Sequence, residues 1–382
     1  MADTGRCVGV NALGHARGDH AAAEGAILAG CRFFAGYPIT PATTIYHSML
    51  NLLPPLGGIC LQGEDEIASI GFCLGASMAG MKVMTATSGP GISLYSENLS
   101  FAIGSEIPIV IVDVQRLGPS TGSATRGADG DINFLRWGNS GGLPVIVMAT
   151  VDVKDCYTLT LHAFNLAEEF RCPVFLASNK EIGMTRESID LQQLDIPDIV
   201  ERSAARADQP LLPFSVAPGK HVPDFLPIGH EVLVRQTSST HGADGYITTD
   251  SAAIARNQER LMHKLLSAVH RFSFHEHYGV EDADTLLIAY GVTARAAKAV
   301  FKMQKRQNKS ISLLILKTLW PVPQKIIRQA ARHAKRIVVV EMNLGQYKHE
   351  IKRILPRKSV SFYGQMDGRL ITPDRIEEAV NG

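Results

Sequence analysis

Short apolar runs alternate with helical patterns along most of this chain, and that order limits the folds open to it. The run Ile107–Val114 is typical of a central strand in a parallel sheet. Further strands are predicted at 31–35, 82–87, 143–148 and 173–177, with helices at 19–28, 66–79 and 153–170. Repeated strand–helix alternation implies a doubly wound α/β fold, with a parallel sheet covered by helices on both faces.

The alternation stops near residue 180 and resumes near residue 285. Residues 180–245 are rich in Pro, Asp and Gln, which indicates a long irregular connector with one or two strands. Beyond it we predict strands at 285–290, 311–316, 336–341 and 358–362 and helices at 293–306, 322–334 and 345–354. We therefore divide the chain into a first domain (1–195), a connector (196–280) with a helix near 251–272, and a smaller α/β domain (281–382).

Composition excludes several classes of protein. A formal net charge of +1 offers no basic surface for nucleic acid. The apolar runs are strand length, and the N-terminus lacks the features of a signal peptide, so we expect a cytoplasmic protein without a membrane span. The six cysteines are Cys7, Cys31, Cys60, Cys73, Cys156 and Cys172, and no two of them have a CxxC spacing. We therefore expect reduced thiols and no metal or cluster in this chain.

Two segments precede predicted helices and carry candidate polar groups. In Tyr37-Pro38-Ile39-Thr40-Pro41, the prolines stiffen a strand-to-helix turn and place the Thr40 hydroxyl beside a helix N-terminus, a site that favours anions. The alternative is a plain N-cap, with Pro41 in the first helical turn. Glu64, Asp65 and Glu66 open the next helix. They could be solvated acids that complement the helix dipole, or one of them could face a ligand.

Two further segments follow buried strands, where ligands bind in open α/β sheets. The turn Thr87-Ser88-Gly89-Pro90-Gly91 lets a ligand approach the backbone, but it matches neither a Rossmann fingerprint nor a Walker loop. Arg116 follows the strand that ends near Val114, where it could clamp a carboxylate or form a structural ion pair.

A fifth pair of segments, Lys317-Thr318-Leu319-Trp320-Pro321 and Glu341-Met342-Asn343-Leu344-Gly345-Gln346, follows strands of the smaller domain. We expect both to mark the loop-bearing edge of that sheet, and packing or subunit contact is the favoured interpretation for both.

Taken in order, these segments identify a family. YPITP, EDEIA, ATSGPG, DVQRLGPSTG, LKTLWP and EMNLGQ resemble the alpha subunits of 2-oxoacid:ferredoxin oxidoreductases, most closely the 2-oxoglutarate (KorA-type) branch, over residues 18–355. The resemblance implies a thiamine-diphosphate-binding, pyrimidine-type first domain and a transketolase C-terminal-like second domain.

The resemblance also implies roles for single residues. A family glutamate contacts the aminopyrimidine ring nitrogen of thiamine diphosphate and promotes proton removal from the thiazolium carbon. That role falls on Glu66, with Glu64 the weaker choice, and requires a buried carboxyl. Thr40 and Arg116 would bind the 2-oxoacid, while the cofactor would also meet Tyr37, Pro38, Ile39, Ser88 and Gly89.

A partner is implied as well. The family's motif for magnesium and diphosphate is missing here, and Gly127-Ala128-Asp129-Gly130-Asp131 is its nearest imitation. Mg²⁺ and a [4Fe–4S] cluster are therefore expected on a beta subunit, with gamma and delta subunits possible, coenzyme A accepting the acyl group and ferredoxin the electrons. A pyruvate, branched-chain or indolepyruvate enzyme, a non-oxidative thiamine enzyme and a non-catalytic scaffold are the alternatives. One departure is Asp19-His20, where relatives carry Asn-Glu.

Overall fold

The computed structural model describes residues 13–205, 212–229 and 232–382, so Cys7 lies outside the described residues. Two α/β sheets organise the chain. The first part of the chain supplies β1 (Leu13–Arg17), β2 (Phe33–Gly36), β3 (Ile59–Gln62), β4 (Val83–Thr87), β5 (Ile109–Gln115), β6 (Ile146–Ala149), β7 (Pro173–Asn179) and β8 (Arg186–Asp190). The second part supplies β9 (His275–Tyr278), β10 (Thr285–Ala289), β11 (Ile311–Leu316), β12 (Thr318–Trp320), β13 (Arg336–Glu341) and β14 (Ser359–Gly364).

Helices separate most of the strands. Those of the first part are α1 (Gly18–Leu28), α2 (Thr43–Leu52), α3 (Glu66–Met78), α4 (Pro90–Leu94), α5 (Ser96–Gly104), α6 (Ile132–Trp137), α7 (Val153–Phe170) and α8 (Lys180–Met184). Those of the second part are α9 (Ser251–Leu266), α10 (Thr293–Arg306), α11 (Gln324–Ala330), α12 (Gln346–Ile354) and α13 (Pro373–Asn381). Short 3-10 turns lie at Pro54–Leu56, Leu191–Gln193 and Val269–Arg271.

The larger sheet has the strand order β12-β6-β7-β5-β4-β2-β3. Its strands run parallel except β12, which pairs antiparallel with β6. Every residue of β4, β5 and β7 is buried, as expected for central strands covered on both faces. All carboxyl ends of the parallel strands therefore meet along one edge.

Helices cover both faces of this sheet. Helices α1, α2 and α7 pack together on one face, while α3, α4 and α5 pack on the other. Small residues allow the close approach of α1 to α7, since a Cβ at Gly25 would lie only 2.6 Å from the Tyr157 carbonyl oxygen. The predicted doubly wound α/β class is confirmed.

The smaller sheet has the order β14-β13-β10-β11-β9, parallel except for the β9–β11 pair. The placement of Thr318–Trp320 at a loop-bearing edge of this sheet was wrong. These residues form β12, which leaves the smaller sheet and extends the larger one. The domain boundaries at 195 and 280 remain a prediction. Two strands pair across them, because β9 of the connector pairs with β11 and β12 of the smaller domain pairs with β6.

Most predicted elements lie within a few residues of their predicted bounds, whereas the strands β1, β3, β9 and β12 were not predicted. Helix α2 begins at Thr43 with Ala42 as its N-cap, so neither Thr40 nor Pro41 starts it, because residues 40–42 form a separate turn. Helix α1 begins at Gly18, one residue before the predicted start, so Asp19 lies inside the helix and is not its N-cap. Helix α9 ends at Leu266 instead of 272.

The irregular connector is anchored by buried arginines. Arg202 donates to the Glu168 carboxylate and to the carbonyls of Ser77 and Met81, and Arg171 donates to the Pro223 carbonyl. These bonds attach a chain without regular structure to the helices of the larger sheet. The five cysteines within the described ranges are free thiols, as predicted. No helix formed by those residues combines the length and apolar character that a membrane crossing needs.

Candidate functional site

Three consecutive acids at the start of α3 have three different environments. Glu64 is exposed, and Asp65 is the N-cap, its Oδ1 accepting from the Ala68 amide at 2.7 Å. Glu66 lies in the first turn and is only 7% exposed. Its carboxyl accepts no hydrogen bond from any residue that the structure describes. Of the two glutamates proposed to face a ligand, only Glu66 is buried.

The turn after β4 approaches this carboxyl. A Cβ at Gly91 would lie 2.8 Å from Glu66 Oε1 and 2.0 Å from Thr87 Oγ1, so only glycine fits there. Gly89 has φ +33°, a conformation that favours glycine. Just before Gly89, the Ser88 hydroxyl is fully buried and has no hydrogen-bond partner within the described residues. The glycines therefore keep space beside a buried carboxyl and an unsatisfied hydroxyl.

Arg116 joins this cluster from the end of β5. It is 5% exposed, and its Nη1 donates to the Thr40 carbonyl oxygen at 2.6 Å. Its side chain also lies against Gly89, whose Cβ position is 3.9 Å from Arg116 Nε. That Nε has no hydrogen-bond partner among the residues described. The structure thus brings together Arg116, the proline-rich turn, the glycine turn and, through Gly91, Glu66.

The remaining candidates of the proline-rich turn are less closely placed. Tyr37 is exposed, Pro38 is half-buried, and Ile39 packs against the apolar core on the α1 and α2 face. Thr40 is exposed, which leaves its hydroxyl accessible while its carbonyl holds Arg116. Cofactor contacts of Tyr37, Pro38 and Ile39 remain predictions.

Sequence reasoning missed the acids around Arg116. Asp113 is fully buried and both of its carboxyl oxygens lack hydrogen-bond partners in the described parts of the chain. Burial, with help from Asp131 and Asp129, raises the pKa of Asp113 well above its usual range. Burial also raises the pKa of Asp131 to about 6, opposed by the positive charge of Arg116. A single acid inside the apolar run Ile107–Val114 was the available signal.

The unusual Asp19-His20 pair lies at the start of α1. Asp19 is buried and accepts a hydrogen bond from the Thr44 hydroxyl. Burial raises the pKa of Asp19 to about 7. His20 Nε2 lies 3.3 Å from Glu24 Oε1, and its Nδ1 lies 3.1 Å from the Ser48 hydroxyl, which makes His20 a packing residue of the α1–α2 pair.

These observations test whether a thiamine pyrimidine fits. A ring nitrogen that shares a proton needs a buried carboxyl with free lone pairs, and Glu66 supplies one. The glycines at positions 89 and 91 leave room for a ring to approach the backbone. The residues therefore fit the pyrimidine half of the cofactor.

Comparison with known families decides the classification. Residues 24–261 match the family profile described as pyruvate flavodoxin/ferredoxin oxidoreductase, thiamine diphosphate binding, and residues 283–376 match pyruvate:ferredoxin oxidoreductase core domain II. The chain belongs to this family. The resemblance inferred from the motifs is therefore confirmed for these 2-oxoacid:ferredoxin oxidoreductases.

Individual members of the oxidoreductase family are similar over nearly the whole chain. The 2-oxoglutarate synthase subunit KorA of Methanothermobacter thermautotrophicus is 38% identical, over 94% of this chain and 96% of its own length. The ketoisovalerate oxidoreductase subunit VorB of Methanothermobacter marburgensis is 32% identical, over 93% of both chains.

Two solved structures extend the comparison. The 2-oxoglutarate:ferredoxin oxidoreductase of Magnetococcus marinus, with 2-oxoglutarate, coenzyme A and succinyl-CoA bound, aligns with a TM-score of 0.91 at 31% identity, over 100% of this chain and 67% of that one. A split-gene transketolase, described as an inactive beta4 tetramer, aligns with a TM-score of 0.55 at 11% identity, over 96% of this chain and 98% of that one, which shows the shared fold alone.

Proposed function

We propose that this chain is the thiamine-diphosphate-binding alpha subunit of a 2-oxoglutarate:ferredoxin oxidoreductase. Its complex would convert 2-oxoglutarate and coenzyme A to succinyl-CoA, with electrons passing to ferredoxin, or run the reverse reaction. The observation that carries the proposal is the buried, unbonded carboxyl of Glu66 beside Arg116 and the glycine turn. The similarity to proteins named as 2-oxoglutarate synthase subunits supports the choice of substrate.

Glu66 holds the pyrimidine in this proposal. Thiamine diphosphate, when bound, supplies a nucleophilic carbon and an electron sink for decarboxylation. The Glu66 carboxyl hydrogen-bonds the pyrimidine ring nitrogen and exchanges a proton with it. Ser88 and Gly89 line the same space, where the unpaired Ser88 hydroxyl has bonding capacity for a ligand.

Arg116 binds the 2-oxoacid carboxylate. Its guanidinium is fixed by the Thr40 carbonyl, and its Nε remains unpaired within the described residues, so one N–H of the fork is free for an anion. The exposed Thr40 hydroxyl lies on the same turn and contacts the substrate's keto group. Together the two residues orient the substrate, while Glu66 exchanges the proton with the pyrimidine ring.

A partner subunit completes the site. Strand β3 is an edge of the larger sheet, and Ile59 and Leu61 on it are 42% and 39% exposed. On the nearby helix α3, Ile67 and Phe72 are each 48% exposed. Such an apolar surface next to Glu66 is a suitable interface for a second chain. That beta subunit carries the diphosphate site, Mg²⁺ and a [4Fe–4S] cluster, and gamma and delta subunits could complete a cytoplasmic complex.

A branched-chain 2-oxoacid is the second candidate substrate, because the VorB relative is 32% identical over 93% of the chain. One experiment distinguishes the four candidate substrates. The complex of this chain with its co-expressed partner is supplied with coenzyme A, thiamine diphosphate and ferredoxin, and ferredoxin reduction is followed with 2-oxoglutarate, pyruvate, a branched-chain 2-oxoacid or indolepyruvate.

We expect 2-oxoglutarate to give the highest kcat/KM. Preference for another 2-oxoacid would correct the substrate, and a colourless complex that decarboxylates without reducing ferredoxin would identify a non-oxidative thiamine enzyme. A complex that assembles but shows no turnover with any of the four substrates would favour a scaffold.

A further inference from the structure

Residues 127–131, Gly-Ala-Asp-Gly-Asp, fill the space between the two α/β units. A Cβ at Gly130 would lie 2.9 Å from Met366 Cε, and a Cβ at Gly127 would lie 3.1 Å from Glu181 Cγ. Asp129 is buried and accepts from the Asn179 amide at 2.9 Å. We name residues 127–133 the inter-sheet segment. Its glycines serve close packing between the sheets.

The smaller sheet holds this segment through the loop after β13. The Asp129 amide donates to the Met342 carbonyl at 2.9 Å, and Asn343 Nδ2 donates to the Asp129 carbonyl at 2.8 Å. Gln346 makes two further bonds. Its Nε2 donates to the Gly130 carbonyl at 2.5 Å, and its Oε1 accepts from the Asn133 amide at 2.8 Å.

The other side of the same segment holds both neighbours of Arg116. The Asp131 amide donates to Gln115 Oε1 at 3.0 Å. Just before the segment, the Arg126 carbonyl accepts from the Leu117 amide at 2.8 Å. Gln115 is itself anchored by a bond to the Ser178 carbonyl at 3.2 Å. A continuous series of hydrogen bonds therefore runs from the EMNLGQ loop through the inter-sheet segment to the side chain of Gln115, the residue before Arg116.

We propose that Gln346 is a positioning residue for substrate binding. It holds the inter-sheet segment against Gln115 and so fixes the position of the adjacent Arg116. This proposal rests on the role of Arg116 in the proposed function. Gln346 belongs to the smaller domain and acts only through this segment. Because Glu66 is positioned by α3 and by the glycine turn, the pyrimidine site does not depend on the same bonds.

The test replaces Gln346 with Met, which keeps the length of the side chain and removes both hydrogen bonds. In the assembled complex we expect KM for 2-oxoglutarate to rise roughly fivefold to tenfold, the effect of losing one or two hydrogen bonds. We expect kcat not to fall, because Arg116 contacts the carboxylate of the bound substrate and that group leaves as CO2. The thiamine diphosphate concentration for half-maximal activity should change less than about twofold, because Glu66 keeps its surroundings. Gln329→Met is the matched control, since Gln329 lies in the same domain and its exposed side chain donates to Glu281, its one side-chain partner among the described residues.

Hydrogen exchange of the full chain gives a readout without turnover. In Gln346→Met, peptides covering 113–118 and 127–133 should exchange faster, while the peptide covering Glu66 should not change. Equal shifts in the substrate and cofactor constants, or unchanged exchange at 113–118, would overturn the proposal. A wild-type complex inactive with every 2-oxoacid would instead defeat the proposed function, and the exchange result would still decide whether Gln346 positions Arg116.

Discussion

Two buried glutamates, Glu66 and Glu341, have opposite surroundings. Glu341 at the end of β13 accepts from the Tyr290 hydroxyl at 2.7 Å and from the amides of Tyr347 at 2.9 Å and Lys348 at 2.8 Å. The Glu66 carboxyl is similarly buried, yet no residue in the described parts of the chain donates to it. Burial is therefore common to structural and functional acids. In our proposal, unused lone pairs distinguish Glu66 as the acid that faces a ligand.

The same contrast applies to the two sheet edges. At the edge of the larger sheet, Ser88 Oγ, both Asp113 oxygens and Arg116 Nε lack partners within the described residues. At the edge of the smaller sheet, Asn343 donates to both Asp129 and Tyr290 and accepts from the Gly345 and Gln346 amides. We propose that the first edge binds a ligand, whereas the hydrogen bonds of the second attach the two sheets to each other.

The largest expected effect comes from Glu66→Gln, which keeps the shape and removes the exchangeable proton of the carboxyl. We expect turnover of the complex to fall roughly 100- to 10,000-fold, the usual contribution of a positioned acid–base group. Ferredoxin reduction measures the loss, and the thermal unfolding temperature should be unchanged or higher. Glu64→Gln is the control because that side chain is exposed. Equal losses in both variants would contradict the assignment.

Glu341→Ala should do the reverse and lower stability. It leaves three buried donors without an acceptor, so we expect the free energy of unfolding to fall by about 3 kcal/mol. Urea unfolding of the isolated chain measures it, with Glu378→Ala as the control on an exposed residue. A change below about 0.5 kcal/mol, the range for ordinary surface substitutions, would break the distinction between satisfied and unsatisfied acids.

Two buried arginines extend the comparison. Arg116→Lys loses the planar fork for a carboxylate, and we expect KM for the 2-oxoacid to rise roughly 10- to 100-fold with stability little changed. Arg171 donates to the carbonyls of Glu106, Pro223 and Asp224, so Arg171→Lys should lower the unfolding temperature and leave KM unchanged. Steady-state kinetics and thermal unfolding of both variants check the pair. The reverse pattern would refute it.

Asp19 is intermediate between the satisfied Glu341 and the unsatisfied Glu66, because it is buried with one hydroxyl partner. We expect its substitution to give the smallest effect of this series. Burial raises its pKa from 3.8 to about 7, so folding favours the protonated carboxyl. Its contribution to stability is present below pH 4 and is lost as pH rises through 7. We expect Asp19→Asn to gain roughly 1 kcal/mol over wild type between pH 5 and pH 6. Urea unfolding at both values measures this, with Asp374→Asn as an exposed control; a constant difference would contradict the raised pKa.

Much of this architecture followed from local patterns. The helices at 153–170 and 293–306 and the strands at 311–316 and 336–341 occur with the predicted bounds, because long periodic or fully apolar segments have one favourable way to be buried. Turns were less predictable. Helix α2 begins after Pro41 because residues 40–42 form a separate turn, and β12 joins the larger sheet because its partner β6 is distant in sequence.

The sequence by itself determined the α/β class, the family and the identity of the candidate residues, since strand and helix periodicity and ordered motifs are local properties. Only the tertiary structure separated Glu66 from Glu64, gave Arg116 its carbonyl partner on Thr40, and placed Asp131 near both that arginine and Asp113. Burial and hydrogen-bond satisfaction depend on atoms brought together from distant parts of the chain. A run of residue types cannot specify which lone pairs remain free.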